Sequence, residues 1–118
     1  MNTPINAHGM TIAIVGSRGA TTVDIAACFT SLPCAVVSGG AKGIDQLAAA
    51  FARTHNIPLV EFRPDYAAHG RGATFIRNRQ IVDASEMIVA FWDGKSHGTK
   101  YTLDYAVKRG IPVKIITI

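Results

Sequence analysis

A rhythm constrains this chain more than any other feature: a short run of small or β-branched apolar residues, a glycine-bearing loop, then an amphipathic stretch, repeated without linker or low-complexity interruption. This is the pattern of βα units. Strands are predicted over residues 11–15, 34–37, 59–62, 87–91 and 113–118. Helices are predicted from a cap at Thr21 or Thr22 to about Leu32, then from Ile44, over 74–84 and over 99–109. Pro33 closes the first unit, and Gly110 ends the last helix as its C-terminal cap. Ile44, Leu47, Ala48, Phe51 and Ala52 recur at i, i+3, i+4, i+7 and i+8, which is one face of a helix. Residues 63–73 carry Pro64, Gly70, Gly72, Arg63 and Arg71 with no period, and read as a long loop.

Strands that are hydrophobic nearly throughout imply a parallel sheet covered on both faces. The expected fold class is therefore α/β, a Rossmann-like three-layer sandwich whose five strands run in the order 3-2-1-4-5. With 118 residues there is room for one domain, placed at 10–118 behind a flexible stretch at 1–9. A hydrophobic content of 48% against 17% charged residues excludes intrinsic disorder. The longest apolar runs, 47–52 and 87–92, fall far short of the roughly 18–20 residues that cross a bilayer. With no apolar leader in the first residues, a cytoplasmic location and no membrane partner are expected. Cys28 and Cys34 are expected to be small buried core residues in a reducing compartment. A net charge of +4 suits an anionic ligand.

In open parallel sheets ligands bind beyond the carboxyl ends of the strands, where the winding direction reverses. In the expected order that point lies between the first and fourth strands, beside the glycine-rich loops 16–20, 38–43 and 92–99. Gly16-Ser17-Arg18-Gly19 opens a helix after a strand, so its amides can approach an anion; a plain βα turn with an exposed arginine is the alternative. Ser38-Gly39-Gly40-Ala41-Lys42-Gly43 places three glycines in five residues, a composition suited to a phosphate or ribose cradle. Asp45 follows in the first helical turn, where it either meets a ligand or complements the helix dipole. Arg77, Asn78 and Arg79 supply cationic and amide groups, but residues two apart diverge on a helix, so one arginine at most faces the site. Trp92 either stacks on a base or caps the sheet end, while Gly98 and Thr99 offer phosphate donors, with Thr99 also placed as N-cap. No metal-ligand cluster, nucleophile elbow or P-loop is visible, so neither metal nor cofactor is expected. Acid/base chemistry would fall to Asp93, His97 or Arg77 singly.

Taken in order, these motifs resemble the SLOG superfamily, which joins the Smf/DprA recombination mediators to the Lonely Guy phosphoribohydrolases. The likeness extends over about residues 11–118. Val15-Gly16-Ser17-Arg18 resembles the first-strand motif, Ser38-Gly39-Gly40-Ala41-Lys42-Gly43-Ile44-Asp45 the mediator's S-G-G-A-x-G-I-D, and Phe75 to Val82 its Arg-Asn-Arg helix. The short standalone form is most similar to the YspA-like branch found in bacteria and phages. Lonely Guy enzymes carry P-G-G-x-G-T-x-x-E; here Gly98-Thr99 match, and Thr102 stands at the place of the catalytic glutamate. Threonine cannot stabilise an oxocarbenium charge as a carboxylate does. The resemblance thus implies a nucleotide or nucleotide-derived, phosphoribosyl-type ligand, bound by a sensor or sequestering module rather than turned over. Nucleotide N-glycosidic hydrolysis or transfer, and ssDNA binding as a mediator core, are the alternatives. A homodimer or higher oligomer is also implied, with the helix face bearing Tyr101 and Tyr105 as a possible contact surface.

Overall fold

The computed structural model describes residues 4–20 and 22–118. Along the chain come β1 (Ile5–Asn6), β2 (Thr11–Gly16), a 3-10 turn (Ala26–Cys28), β3 (Phe29–Ser31), β4 (Ala35–Ser38) and α1 (Ile44–Thr54). There follow β5 (Leu59–Glu61), α2 (Tyr66–His69), a second 3-10 turn (Gly70–Gly72), α3 (Ala73–Asp83), β6 (Met87–Trp92), α4 (His97–Lys108) and β7 (Val113–Thr117). The main sheet is parallel throughout, in the order β5-β4-β2-β6-β7. This ordering departs from the expected 3-2-1-4-5 by two extra strands, β1 and β3, which form a separate two-stranded parallel ladder. Counted without them, the five strands of the large sheet stand in that order.

Alternation along the central strands sends side chains into two cores. On one face Ile12, Ile14, Val36, Val89 and Phe91 pack against Ile44, Ala48, Phe51 and Ala52 of α1. On the other, Ala13, Val15, Val37, Ile88 and Ala90 meet Ile81 and Val82 of α3 and Leu103 and Ala106 of α4. Both faces are thus covered, which gives the α/β three-layer arrangement its hydrophobic interior. Tyr101 and Tyr105 brace α4 on α3: the Tyr101 hydroxyl accepts from Arg79 Nη1 at 3.0 Å, and the Tyr105 hydroxyl donates to the Asp83 carboxylate at 2.9 Å. Gly110, at φ +74°, closes α4 as expected, with Ile111 N donating to the Ala106 carbonyl at 2.9 Å.

Several local expectations are corrected. No helix follows β2: of the two expected caps, Thr21 lies outside the described residues and Thr22 is exposed ahead of a single 3-10 turn. Thr22, Val23, Ile25 and Thr30 lose side-chain freedom in a helix, and Asp24 Oδ1 instead accepts from Ala27 N at 3.3 Å in a local turn. The segment then extends as β3 beside β1. That pairing draws in the expected N-terminal tail, burying Ile5 and Ala7 in the first core. In the expected loop 63–73, Asp65 caps the short helix α2 by accepting from Ala68 N at 3.0 Å. Cys34 is exposed and Cys28 only partly buried, so neither is the fully buried core residue expected.

Ile88→Ala, in the central strand β6 and fully buried, is expected to cost about 2–5 kcal/mol in urea unfolding. Val107→Ala, on the exposed side of α4, is expected to stay within about 0.5 kcal/mol of the parent in the same assay.

Candidate functional site

At the carboxyl ends of β2 and β6, where the winding of the sheet reverses, the chain leaves a cleft of about 480 Å³. One wall is the turn Gly16 to Gly19. It is held by backbone alone: Ser17 N donates to the Phe91 carbonyl at 3.2 Å, and the Ser17 carbonyl accepts from Ile44 N at 3.4 Å. A Cβ on Gly16 would strike the Phe91 carbonyl and come within 2.6 Å of Ile44 Cγ1, so this approach demands glycine. Among the described residues, the amides of Arg18 and Gly19 have no protein acceptor. The Arg18 side chain is exposed along the cleft.

The opposite wall is the loop after β6 and the start of α4. Asp93 N donates to Ser17 Oγ at 3.3 Å, which ties the two walls together. Asp93 Oδ1 accepts from Lys95 N at 2.8 Å and Ser96 N at 2.9 Å, and these backbone donors hold its carboxyl below the usual range. The Trp92 indole donates to the Ser96 carbonyl at 3.1 Å, so this side chain braces the loop instead of lining the cleft. The helix begins two residues earlier than expected, with Ser96 rather than Thr99 as its cap: Ser96 Oγ accepts from Thr99 N. The Ser96 hydroxyl, three residues before Thr99, reaches that amide, whereas Thr99 is already inside the first turn. His97, Gly98, Thr99 and Thr102 line the cleft, and the Thr102 hydroxyl is engaged by the Gly98 carbonyl at 3.0 Å.

The third side comes from α3. Thr74, Arg77, Asn78 and Ile81, spaced i, i+3, i+4 and i+7, share the face turned to the cleft, whereas Arg79 points away to Tyr101. Arg77 is 7% exposed; its Nη1 donates to the Gly39 carbonyl at 2.6 Å and more weakly to the Phe62 carbonyl, and its Nε to Asn78 Oδ1 at 2.8 Å. Burial pulls this guanidinium below its ordinary range, an effect that nearby Asp45 opposes.

In the loop Ser38 to Gly43 the glycines are closely approached by neighbouring protein groups. A Cβ on Gly39 would meet Arg77 Nη1 and sit 2.8 Å from Asp45 Oδ2; one on Gly43, at φ +75°, would meet the Arg18 and Ser17 carbonyls. Gly40, at φ +69°, packs under Arg63. These glycines let neighbouring groups close in. Ser38, Gly39, Gly40, Lys42 and Gly43 do not line the cleft, and from this stretch Ala41 and then Asp45 do. Asp45 is nine-tenths buried; burial raises its pKa, against the lowering effects of the Ala41 amide (3.1 Å) and of Arg77. The fully buried Ser38 hydroxyl favours the charged carboxylate as a polar neighbour, yet it has no partner in hydrogen-bond geometry.

Of the expected residues, Gly16, Ser17, Arg18, Asp45, Arg77, Asn78, Asp93, His97, Gly98 and Thr99 are therefore brought together. Thr74, Phe75 and Ser96 line the cleft unanticipated; helical spacing from Arg77 points to Thr74, and the Ser-x-x-Thr pattern points to Ser96 as cap. Among the described residues no cluster of three or more metal-ligating side chains is present, and no helix is long and apolar enough to cross a membrane.

Residues 30–69 match a family described as the YspA, cpYpsA-related SLOG family. The Gene 61 protein of Mycobacterium phage D29 is 37% identical over 84 residues, 66% of this chain and 67% of the phage protein. No solved structure gives a significant match.

Arg77→Leu strands the Gly39 carbonyl and is expected to cost about 1.5–3 kcal/mol in urea unfolding. Asp45 has the sign of a group whose folded pKa is raised: the folded state holds the proton more tightly, so stability is lost as pH rises through that elevated pKa. Asp45→Asn is therefore expected to raise the melting temperature at pH 7, with the gain shrinking as pH falls through the elevated pKa towards the ordinary aspartate range and absent below that range.

Proposed function

Because the chain belongs to the YspA, cpYpsA-related family of the SLOG superfamily, we propose that it binds a nucleotide or nucleotide-derived, phosphoribosyl-bearing ligand in the cleft between β2, α3 and α4. Membership ties it to nucleotide-related binding or processing in general. The observation that carries the finer reading is the convergence of anion-binding elements on one cleft. Arg18 and Gly19, whose amides have no acceptor among the described residues, line it, and so does the α4 N-terminus, with Arg18 and Arg77 as the cations. Its volume suits a mononucleotide-sized ligand.

The module reads as a sensor or a sequestering protein. Thr102 offers no carboxylate at the Lonely Guy glutamate position, which favours binding over N-glycosidic hydrolysis or transfer. A small ligand is favoured over ssDNA because Arg18 and Arg77 line one cleft of mononucleotide size, while a net charge of +4 is modest for contacts along a phosphate backbone. A second copy of the chain remains part of the proposal as a partner.

Ligand-observed NMR with a mixture of nucleoside mono-, di- and triphosphates, cyclic nucleotides and ADP-ribose is expected to give selective broadening with no new anomeric or free-base signals over hours. Silence from every compound overturns the reading, and accumulation of free base replaces it with the hydrolase. Arg18→Ala is expected to weaken the selected ligand about tenfold while leaving the melting temperature unchanged, since the side chain is exposed.

A further inference from the structure

Asp45 is a nearly buried carboxylate lining the cleft, and an anionic ligand does not explain it. It is 9% exposed, its Oδ2 accepts from the Ala41 amide, and Oδ1 accepts from no described residue. Among the described residues it forms no ion pair within 4 Å, although Arg77 stands beside it. A carboxylate has about four acceptor sites, and burying one with most of them unused is costly. Asp45 is thus a nearly buried acceptor, open on the cleft side, next to a cation that does not neutralise it.

Its neighbours define what can satisfy it. The Arg77 guanidinium and the Asp45 carboxylate press together over Gly39, where a Cβ would meet both, and both residues line the cleft. A hydroxyl both donates and accepts, and suits such a pair; an ammonium or exocyclic amine only donates, and an ammonium is also repelled by Arg77 and Arg18. Asp45 is also one residue beyond Ile44, whose amide is bonded to the Ser17 carbonyl in the anion-binding turn.

We infer that Asp45, positioned by Ala41 and Arg77, is the specificity residue that reads the ribose hydroxyls of the ligand and selects ribo- over 2-deoxyribo- compounds. The inference rests on the proposed phosphoribosyl reading of the same cleft. It assigns the sugar, which the anion-binding elements leave open.

Base-free probes test it: ribose 5-phosphate and 2-deoxyribose 5-phosphate, alongside the four ribo- and four 2′-deoxyribonucleoside monophosphates, titrated by protein-observed NMR into the parent protein and Asp45→Asn. The parent is expected to bind the ribo form of each responding pair about tenfold to a hundredfold more tightly, the range of a hydrogen bond to a charged group. Asp45→Asn is expected to bring the two forms to within about threefold, chiefly by weakening the ribo form, with the deoxy form nearly unchanged. Equal binding of both forms by the parent overturns the inference, and that comparison needs no variant. Discrimination that survives in Asp45→Asn overturns the role of Asp45. Absence of any response in the parent to all ten compounds overturns the phosphoribosyl reading and this inference with it, an outcome distinct from binding without discrimination.

Discussion

Three backbone segments meet without side chains between them at Gly16 and Gly43, and most of the molecule is arranged around that contact. Ser17 donates its amide to Phe91 at the end of β6 and lends its carbonyl to Ile44 at the start of α1, while a Cβ at either glycine would collide with main-chain oxygen. The end of the central strand is thereby joined to the helix on one face and to the neighbouring strand. Side chains in the gap would push α1 away from Ile12, Ile14 and Phe91, and the apolar area that supports the first core would shrink. The same turn brings Arg18 and Gly19 to the wall of the cleft.

The second organising element is the pair of buried ionisable residues beside Gly39. Arg77 spends its donors on the Gly39 and Phe62 carbonyls and on Asn78, anchoring the loop after β4 to α3. Asp45 receives only the Ala41 amide on the same side and is left short of partners. Burying charge in this way opposes stability unless every site is satisfied. The arrangement makes sense where a ligand completes it, and that is why the arginine acts as much on the loop as on the cleft.

Glycine-rich loops are easily read as ligand cradles, and the two such loops here divide that role unequally. Gly16 to Gly19 does face the cleft, but Gly39, Gly40 and Gly43 are small because Arg77, Arg63 and the carbonyls of Ser17 and Arg18 occupy the space. Composition reports that something comes close to the backbone; it does not distinguish a phosphate from a neighbouring loop. Trp92, Lys42 and Arg79 illustrate the same limit, each turned by a partner or by solvent away from the cleft that its position in sequence adjoins.

By itself, the sequence determined the βα rhythm, the five central strands, the amphipathic face of α1 and the end of the sheet at which the cleft would lie. Those follow from period, hydrophobicity and glycine placement, which are local properties. The segment after β2 was legible only in three dimensions, because its end, Phe29–Ser31, extends once β1 supplies a strand partner from twenty-odd residues earlier. Tertiary structure alone decided that Arg77 rather than Arg79 faces inward and that Asp45 comes to stand beside Arg77 across Gly39. Side-chain direction and burial depend on what packs from elsewhere in the chain, and no local spacing encodes the neighbour that arrives more than thirty residues away.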